Sequence, residues 1–487
     1  MLFTLVIIAL ALLFILDYNK RQYWTRKGVL QTPSLPLVGH FLPLVTQQNT
    51  PNGVYDKIYQ ITKKNSQPYI GIYEFWRPTL IIKDLSLVEK ILIKDFSSFL
   101  DHPRWVFDKK SMLHDSLFNM TGDRWRAMRY QMIPWFTTGR MRSLFPHLIN
   151  CITIPDGEFE AMNVFRIIAA DTIATFLGVK IDDKKEFQDM NKDLHDVSIM
   201  RYYRLLLVEH FENFAESLGL AFLDSSTENY FINFTKTVLL NKDHSLVQRL
   251  QKLLVGRKVC MRKNDLYKKS ADNEIYTYEV TEELIENVVA QLLLGGLDVT
   301  SNTMTWFLID LALHPDVQKK ARDEIRNVLK THGGWSYESV QEMKYVANCL
   351  KESMRRNATF PFIFRLCTSN YKTPDGIKIE KGTKIIIPAT SNQMNPSFYS
   401  EPELYKPERF GQEQKQTDLL WLPFGEGPRK CTGIRFSQMV MKTALGRMLE
   451  NHEIILSEKT KKPIVVNPRA FLGRPKTEII VKLKKVQ

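Results

Sequence analysis

The sequence contains few of the residues that build metal cages or disulfide frameworks. Its 487 residues include only five cysteines, which form no C-x-x-C pair: Cys151, Cys260, Cys349, Cys367 and Cys431. The ten histidines are equally dispersed, with no H-x-x-x-H or H-E-x-x-H spacing. This distribution argues against a disulfide scaffold, a zinc cage and an iron–sulfur cluster. Any metal must therefore be held by very few protein ligands, with a cofactor supplying most of the coordination.

The sequence also lacks internal repeats and long low-complexity linkers. Its composition is 44% hydrophobic, 11% aromatic and 25% charged, which excludes disordered and fibrous classes. The net charge of +14 permits contact with anionic lipid, nucleic acid or an acidic protein, and selects none of them. Although the chain is longer than a typical domain, we interpret residues 40–487 as one large domain, mainly α with a small β region.

Basic residues are absent before the first apolar run, and no small-residue cleavage site follows it. The run covers residues 1–16 and is broken only by Thr4. Both absences argue against a cleaved signal peptide, and a helix of this length covers most of a hydrocarbon core about 30 Å thick. We interpret residues 1–18 as an uncleaved transmembrane signal-anchor and residues 19–39 as a basic, proline-containing connector, with residues 32–36 stiff and extended. Because the positive charges follow the run, the remaining chain is expected in the cytosol.

Hydrophobic periodicity gives a coarse outline of the secondary structure. Apolar residues at three- and four-residue spacing predict helices over 84–95, 123–133, 163–177, 210–223 and 281–313. Short β-like runs predict strands over 69–73, 79–82, 377–379, 384–387 and 478–481. Thr281 is expected to cap the longest helix. Within that helix, Gly295 and Gly296 predict either close helix packing or a distortion that opens a groove lined by Asp298 and Thr300.

One short segment carries the most specific signal. Residues 424–433 show the spacing F-x-x-G-x-R-x-C-x-G, with Phe424, Arg429, Cys431 and Gly433 among its members. Backbone N–H groups, the charge of Arg429 and the start of the following helix would all favour a thiolate at Cys431. A thiolate that is the only protein ligand of an iron porphyrin favours O–O cleavage. A dinucleotide loop is excluded because the third glycine is missing.

On this segment the sequence resembles the cytochrome P450 superfamily of haem-thiolate monooxygenases, and further motifs in the expected order extend the resemblance over nearly the whole chain. Residues 352–355 match E-x-x-R and residues 407–410 match P-E-R-F. The resemblance implies that Glu352, Arg355 and Arg409 form a structural charge network. It implies Cys431 as the iron ligand of haem b, with the following haem-binding residues: Trp125, Arg129, Arg365, Phe424, Arg429 and Gly433. Residues 136–140 and the anchor are similar to microsomal animal enzymes, including the insect detoxification group.

The same resemblance implies a reaction, partners and a location. One atom of dioxygen enters a lipophilic small molecule, with electrons from NADPH delivered by a flavoprotein reductase. The expected location is the endoplasmic reticulum membrane, single-pass, with the catalytic domain on the cytosolic side, and no nucleic acid partner is expected. The cations expected to face the reductase are Arg124, Arg126, Lys430 and Arg435. The substrate pocket is expected between the longest helix and residues 96–118, with these candidate liners: Phe118, Phe360, Phe362 and Phe471.

The longest helix departs from the family pattern. Val299 occupies the position where relatives have a threonine beside the bound oxygen. Asp298 and Thr300 remain as candidate catalytic residues, but one step along a helix is a rotation of about 100°. Two alternatives therefore stay open beside the monooxygenase: a redox-neutral isomerase or dehydratase of an oxygenated lipid, and a non-catalytic haem-binding protein. Asn392, where many relatives have a histidine, is a further departure.

Overall fold

The computed structural model of the protein describes residues 2–104, 111–181, 183, 185–187, 189–190, 198–240, 258–262, 275–411, 418–470 and 472–486. The α-helices in these ranges are numbered in chain order: α1 (Leu2–Arg21), α2 (Tyr23–Arg26), α3 (Leu42–Val45), α4 (Pro51–Thr62), α5 (Leu85–Glu89), α6 (Gly122–Met132), α7 (Thr138–Cys151), α8 (Ala161–Leu177), α9 (Ile199–His210), α10 (Glu212–Ser217), α11 (Ser225–Leu240), α12 (Glu282–Leu313), α13 (Pro315–His332), α14 (Tyr337–Glu342), α15 (Lys344–Arg356), α16 (Ala389–Gln393) and α17 (Ile434–Asn451).

The strands form small sheets beside this helical body. They are β1 (Tyr69–Glu74), β2 (Arg77–Ile82), β3 (Glu158–Glu160), β4 (Lys258–Arg262), β5 (Ile275–Glu279), β6 (Ile363–Leu366), β7 (Tyr371–Lys372), β8 (Lys378–Ile379), β9 (Lys384–Ile387), β10 (His452–Leu456) and β11 (Ile480–Lys485). The largest sheet has the order β1-β2-β9-β6, with β2 parallel to β9 and the other pairs antiparallel. A second sheet has the order β10-β11-β3. The fold is therefore mainly helical with a small β region, as predicted.

Most of the predicted elements are present, and three of them differ from the prediction in continuity or in bounds. The range 84–95 is α5 followed by a π-helical turn over Lys90–Lys94. The helix predicted over 210–223 is wrong as a single element: α9 ends at His210, Phe211 leaves the helical region, and α10 ends at Ser217. Gly219 then adopts a positive φ of 64°, which suits glycine and stops a helix. The last strand begins at Ile480, two residues later than predicted.

Helix α12 runs through the centre of the fold. The hydroxyl of Thr281 caps it by accepting the N–H of Leu284 at 3.1 Å, as predicted. Helix α12 is long and apolar enough to suit a membrane span, but 56% of its most apolar window is buried inside the protein. It packs mainly against α8. These contacts identify α12 as a core helix.

The paired glycines of α12 have different surroundings. A methyl group at Gly296 would lie 2.5 Å from Cδ1 of Ile173 in α8, whereas one at Gly295 would meet nothing within 4 Å. Residues 282–313 stay α-helical throughout. The close-packing interpretation is therefore correct for Gly296, and the helical hydrogen-bond pattern is not interrupted at this point.

The predicted charge network lies under the helical core. Arg355 is fully buried and donates through Nε to Glu352 Oε2 at 2.8 Å, while Arg409 Nε donates to Glu352 Oε1 at 2.9 Å. Arg355 also donates to the backbone carbonyls of Gln393 (2.7 Å) and Pro402 (2.6 Å). Because every charge has hydrogen-bonding partners, the cost of burial is offset. The network holds α15 to the segment that precedes Cys431.

The N-terminal residues lead directly into the sheet. Helix α1 exposes large apolar side chains, among them Phe3, Leu12 and Leu16. Trp24 is fully buried and donates from Nε1 to the carbonyl of Ile72 at 3.1 Å. A methyl group at Gly71 would lie 2.3 Å from the Trp24 ring. Part of the segment interpreted as a connector is thus packed into the fold.

Candidate functional site

The segment around Cys431 is held in a tight turn. Residues Gly427–Arg429 form a 3-10 turn, and α17 begins just after Gly433. The N–H of Cys431 donates to the carbonyl of Phe424 at 2.9 Å. Gly427 has a φ of +76°, and a methyl group there would lie 1.9 Å from the carbonyl oxygen of Leu92. Glycine is therefore required for this loop to lie so close to its neighbour.

Cys431 is an exposed residue within a protein-lined recess. The residue is accessible, yet burial by the surrounding protein raises the pKa of its thiol. The backbone N–H of Gly433 and the positive charge of Arg129 act in the opposite direction and lower that pKa. Both groups favour the thiolate, which is the form that binds metals.

Two arginines near Cys431 have different roles: Arg429 holds neighbouring backbone segments, and Arg129 supplies the charge that acts on the thiol. Arg429 donates to three carbonyls, those of Leu100 (3.0 Å), Leu117 (2.9 Å) and Met120 (2.7 Å). Its guanidinium also lies 3.9 Å from the centre of the Trp125 ring. Arg429 thereby holds the backbone at Leu100, Leu117 and Met120 against the loop that carries Cys431. The cation whose charge acts on the Cys431 thiol is Arg129, which also donates to the carbonyl of Lys430.

Three arginines and one histidine lie beside the loop that carries Cys431: Arg129, Arg365, Arg429 and His102. Arg365 is 3% exposed, and burial together with the charge of Arg129 lowers the pKa of Arg365 to about 9. The charges of Arg365 and Arg129 also lower the pKa of Arg429, after the larger effect of burial. Burial, Arg429 and Arg365 lower the pKa of His102 well below its usual range. Sequence reasoning missed His102, because no motif marks it.

The positive charges of Arg129, Arg365 and Arg429 are only partly compensated by acidic side chains. Among the described residues, the ion pair that any of them makes is the one between Arg429 and Asp101, at 3.5 Å. Nε of Arg365 is buried and has no hydrogen-bond partner in the described part of the chain. Buried positive charge is costly unless an anion compensates it. A planar group that bears two carboxylates, with a metal for the nearby thiolate, fits this arrangement, and the residues are therefore suitable for haem.

The candidate catalytic residues Asp298 and Thr300 lie on α12, and the charges of three arginines act on Asp298. Burial raises the pKa of Asp298 to about 6, while the charges of Arg166, Arg474 and Arg201 oppose the rise. These arginines come from three separate segments, so no sequence pattern could have linked them to Asp298. Thr300 is 5% exposed. The carbonyl of Val299 accepts a hydrogen bond from Thr303 Oγ1 at 2.7 Å.

The phenylalanines expected to line the substrate pocket lie in different parts of the structure. The ring of Phe118 lies 4.6 Å from that of His102, and its N–H bonds to Gln291 of α12 at 3.2 Å. Phe362 packs against Tyr55, with ring centres 5.1 Å apart. Phe360 is partly buried. Phe471 lies outside the described residues. Phe118 thus connects α12 with the arginine and histidine cluster.

The surface cations also differ from one another. Arg124 forms a two-point ion pair with Asp115 at 2.7 and 2.8 Å, and Lys430 pairs with Glu426 at 2.7 Å. Arg435 donates to the carbonyl of Phe136 at 3.3 Å, and Arg126 lies over the Phe96 ring at 5.7 Å. Asn392 is fully buried in α16.

Comparison with known proteins agrees with the site. The family model for cytochrome P450 matches residues 30–483. Probable cytochrome P450 6d5 of Drosophila melanogaster is 30% identical over 515 residues, covering 98% of each chain. Cytochrome P450 6k1 of Blattella germanica is 28% identical over 475 residues, covering 92% of this chain and 90% of the relative. The chain belongs to the cytochrome P450 family, and its relatives identify it as the insect microsomal type.

Membership of this family sets the reaction class. Cytochromes P450 are oxidoreductases that act as monooxygenases, and the family relationship implies a haem cofactor, a redox partner and a small-molecule substrate. The resemblance found in the sequence is therefore confirmed. The described residues contain no group of three or more His, Cys, Asp or Glu side chains placed to hold a metal ion.

Proposed function

We propose that this chain is a membrane-anchored haem-thiolate monooxygenase that inserts one atom of dioxygen into a lipophilic small molecule. The observation that carries the proposal is the meeting of the accessible Cys431 with Arg129 and the under-compensated Arg365 inside the protein. When bound, an iron porphyrin with a thiolate ligand supplies the electron-rich metal chemistry that favours O–O cleavage. The family relationship favours this reaction over the isomerase and the non-catalytic alternatives.

Cys431 is the proposed metal ligand, and its neighbours prepare it. The N–H of Gly433 and the charge of Arg129 favour the thiolate, and the Phe424 carbonyl holds the N–H of Cys431 in the turn. Burial alone would keep the thiol protonated, so a bound iron would be needed to complete its deprotonation.

Arg129 and Arg365 are the proposed partners of the two haem propionates. Arg129 and Arg365 supply the charge, and the buried Nε of Arg365 is a donor suited to a carboxylate oxygen. Trp125 packs under Arg429 at 3.9 Å and under Arg129 at 5.7 Å. We expect Trp125 and Arg429 to keep the site in shape rather than to carry the main charge interaction, since Arg429 already donates to three carbonyls.

Asp298 is the proposed proton carrier. A carboxyl with a pKa of about 6 both takes up and releases protons near neutral pH, as a general acid–base group requires. Val299 offers no hydroxyl, and Thr300 is turned by about 100° on the helix. We therefore expect Thr300 to assist only in part, with more of the reducing equivalents lost as hydrogen peroxide than in a relative with threonine at this position.

The partners and location follow from the same proposal. Helix α1 exposes Phe3, Ile8 and the apolar run from Leu12 to Leu16, which supports a single-pass anchor over residues 1–18 in the endoplasmic reticulum membrane, with the catalytic domain on the cytosolic side. NADPH would act indirectly, through a flavoprotein reductase. Arg124, Arg126, Lys430 and Arg435 are its proposed docking cations, although Arg124 and Lys430 must exchange their present carboxylate partners. A role in detoxification and the absence of a nucleic acid partner remain predictions.

The first test is the reduced, carbon monoxide-bound difference spectrum of the full-length protein in membranes. The wild type should show the long-wavelength Soret band of a thiolate ligand, and Cys431→Ser should lose it. Cys367→Ser, which makes the same chemical change at a buried free cysteine outside the site, should keep it. A folded wild type without haem would overturn the proposal. Incorporation of labelled dioxygen into a lipophilic product then separates a monooxygenase from a redox-neutral enzyme.

A further inference from the structure

One backbone carbonyl joins the C-terminal loop to α12. The oxygen of Gly473 accepts hydrogen bonds from Nδ2 of Asn302 at 3.1 Å and from Nε1 of Trp306 at 2.8 Å. The N–H of Gly473 donates to the carbonyl of Thr359 at 3.1 Å. A methyl group at Gly473 would lie 2.9 Å from the carbonyl of Ala358. Three segments that are distant in the sequence therefore meet at this residue.

The side chain of Asn302 has a fixed orientation at this junction. Because a carbonyl can only accept, the Asn302 atom that faces Gly473 must be the NH₂ group. The same group donates to Thr359 Oγ1 at 3.0 Å. Thr303 donates to the Val299 carbonyl at 2.7 Å, so the contact of 3.1 Å between the two hydroxyls has Thr359 as donor. The result is a directed chain of hydrogen bonds from Asn302 to the backbone beside Asp298.

Arg474 follows this junction directly and takes part in the environment of Asp298. The charged groups that act on Asp298 come from three elements: Arg166 from α8, Arg201 from α9 and Arg474 from the C-terminal loop. Arg166 and Arg201 are carried by helices, whereas Arg474 is carried by an irregular segment. The carbonyl of Arg474 accepts the N–H of Asn467 at 2.9 Å, and the hydrogen bonds of the neighbouring Gly473 hold the same segment on the side that faces α12.

The buried amide of Asn302 is not accounted for by stability alone. Asn302 is 3% exposed, and its Oδ1 has no hydrogen-bond partner among the described residues. An unpaired buried acceptor costs stability. The benefit of this residue accordingly lies in the two hydrogen bonds that its NH₂ group donates, one to the C-terminal loop and one to Thr359.

We infer that Asn302 is a positioning residue for oxygenation, and that it acts by holding the Gly473–Arg474 segment opposite Asp298. This inference rests on the proposed function, since it assigns Asn302 a part in proton delivery during the same reaction. Asn302 does not itself need to touch the substrate or the cofactor. Trp306 shares the Gly473 carbonyl and should support the same arrangement from one helical turn further along.

The test uses the full-length holoenzyme with Asn302→Leu, which keeps the approximate size and removes the donor. Thr305→Val is the matched control, because Thr305 is a fully buried polar residue of the same helix that contacts Ser301 and Met162 instead of the loop. The rate of amide hydrogen exchange over residues 472–476 directly measures how firmly the loop is held against α12. Product formed per NADPH consumed, measured from pH 5.5 to 8 with a fluorogenic alkoxycoumarin, measures its effect on the reaction.

We expect Asn302→Leu to keep the thiolate spectrum, to exchange faster at 472–476, and to lose coupling about fivefold, the size of one lost hydrogen bond. Its pH midpoint for coupling should move upward, because Asp298 loses part of the opposing charge of Arg474. Trp306→Phe should show the same changes to a smaller extent, and it serves if Asn302→Leu does not fold. Exchange or coupling equal to that of Thr305→Val would overturn the inference. A wild type without turnover would refute the proposed function instead, while the exchange data would still decide whether Asn302 holds the loop.

Discussion

Arg129 faces Cys431 across the site, and its positive charge favours the thiolate of a residue that burial would otherwise keep protonated. The arginine belongs to α6 and the cysteine to the loop before α17. The same guanidinium donates to the carbonyl next to the cysteine, that of Lys430. One side chain thus contributes both to the electrostatics and to the position of the proposed ligand.

Replacing Arg129 should weaken cofactor binding. Arg129→Gln removes the charge near the thiol and one of the cations proposed for the propionates. We expect haem content to fall by about tenfold, within the range seen when groups that support a ligand are removed. Haem per protein, from the pyridine haemochrome assay, is the measurement. Arg142→Gln is the control, since that arginine is exposed and pairs with Glu338 at 2.5 Å. Equal haem content in both variants would contradict the role assigned to Arg129.

Restoring a hydroxyl at residue 299 should improve coupling. Val299→Thr places the hydroxyl on the face of α12 where relatives carry it, so proton delivery should compete better with peroxide release. We expect product per NADPH to rise by about twofold to tenfold, a small part of the range that general acid–base groups supply. Hydrogen peroxide and product are measured together. Val299→Ala changes the volume without adding a hydroxyl and should not raise the ratio; an unchanged ratio in Val299→Thr would refute this account.

Coupling should depend on pH through Asp298. Burial raises the pKa of this carboxyl to about 6, so the carboxylate that accepts the next proton from solvent becomes populated as pH rises through that value. Product per NADPH should therefore increase between about pH 5 and 7 and then level off. Asp298→Asn should show lower coupling with no such rise. A wild-type profile that is flat over this range would show that another group controls proton delivery.

The two glycines of α12 should respond differently to alanine. Gly295→Ala meets open space and should stabilise the protein by about 1 kcal/mol through helix propensity. Gly296→Ala gains the same propensity but drives its methyl group to 2.5 Å from Ile173 Cδ1, and overpacking of this kind costs about 1–3 kcal/mol. Loss of the thiolate spectrum on heating measures both. Ile173→Val should relieve the Gly296→Ala variant, and equal behaviour of the two alanine variants would contradict the packing difference.

Sequence motifs predicted the parts of the site that lie close together along the chain. The cysteine loop, the Glu352–Arg355 pair and the cap at Thr281 are local patterns, and the structure contains the two hydrogen-bonded arrangements with the expected partners. The family match then confirmed the reaction class. Periodicity failed at 210–223, because apolar residues continue through the break at Phe211 and only Gly219 marks a stop.

Relationships between distant segments could not be predicted in this way. Nothing near Asp298 in the sequence indicates Arg166, Arg201 and Arg474, which reach it from two helices and a loop. His102 was missed for the same reason, since its surroundings depend on Arg365 and Arg429. The motif predicted that Arg429 supplies charge near Cys431, whereas the charge that lowers the pKa of this thiol is that of Arg129, and Arg429 donates to three carbonyls. Such facts depend on tertiary packing, which spacing along the chain does not encode.

The packing of Trp24 fixes the end of α1, the proposed anchor helix, against the largest sheet. The indole is enclosed against Gly71, and the hydroxyl of Tyr73 donates to the carbonyl of Arg21, the last residue of α1, at 2.7 Å. The proposed anchor helix is therefore connected to the sheet without a flexible linker. If the proposed anchor spans a bilayer, this fixed junction would restrict rotation of the catalytic body relative to the membrane, so the same side of the enzyme would face the lipid.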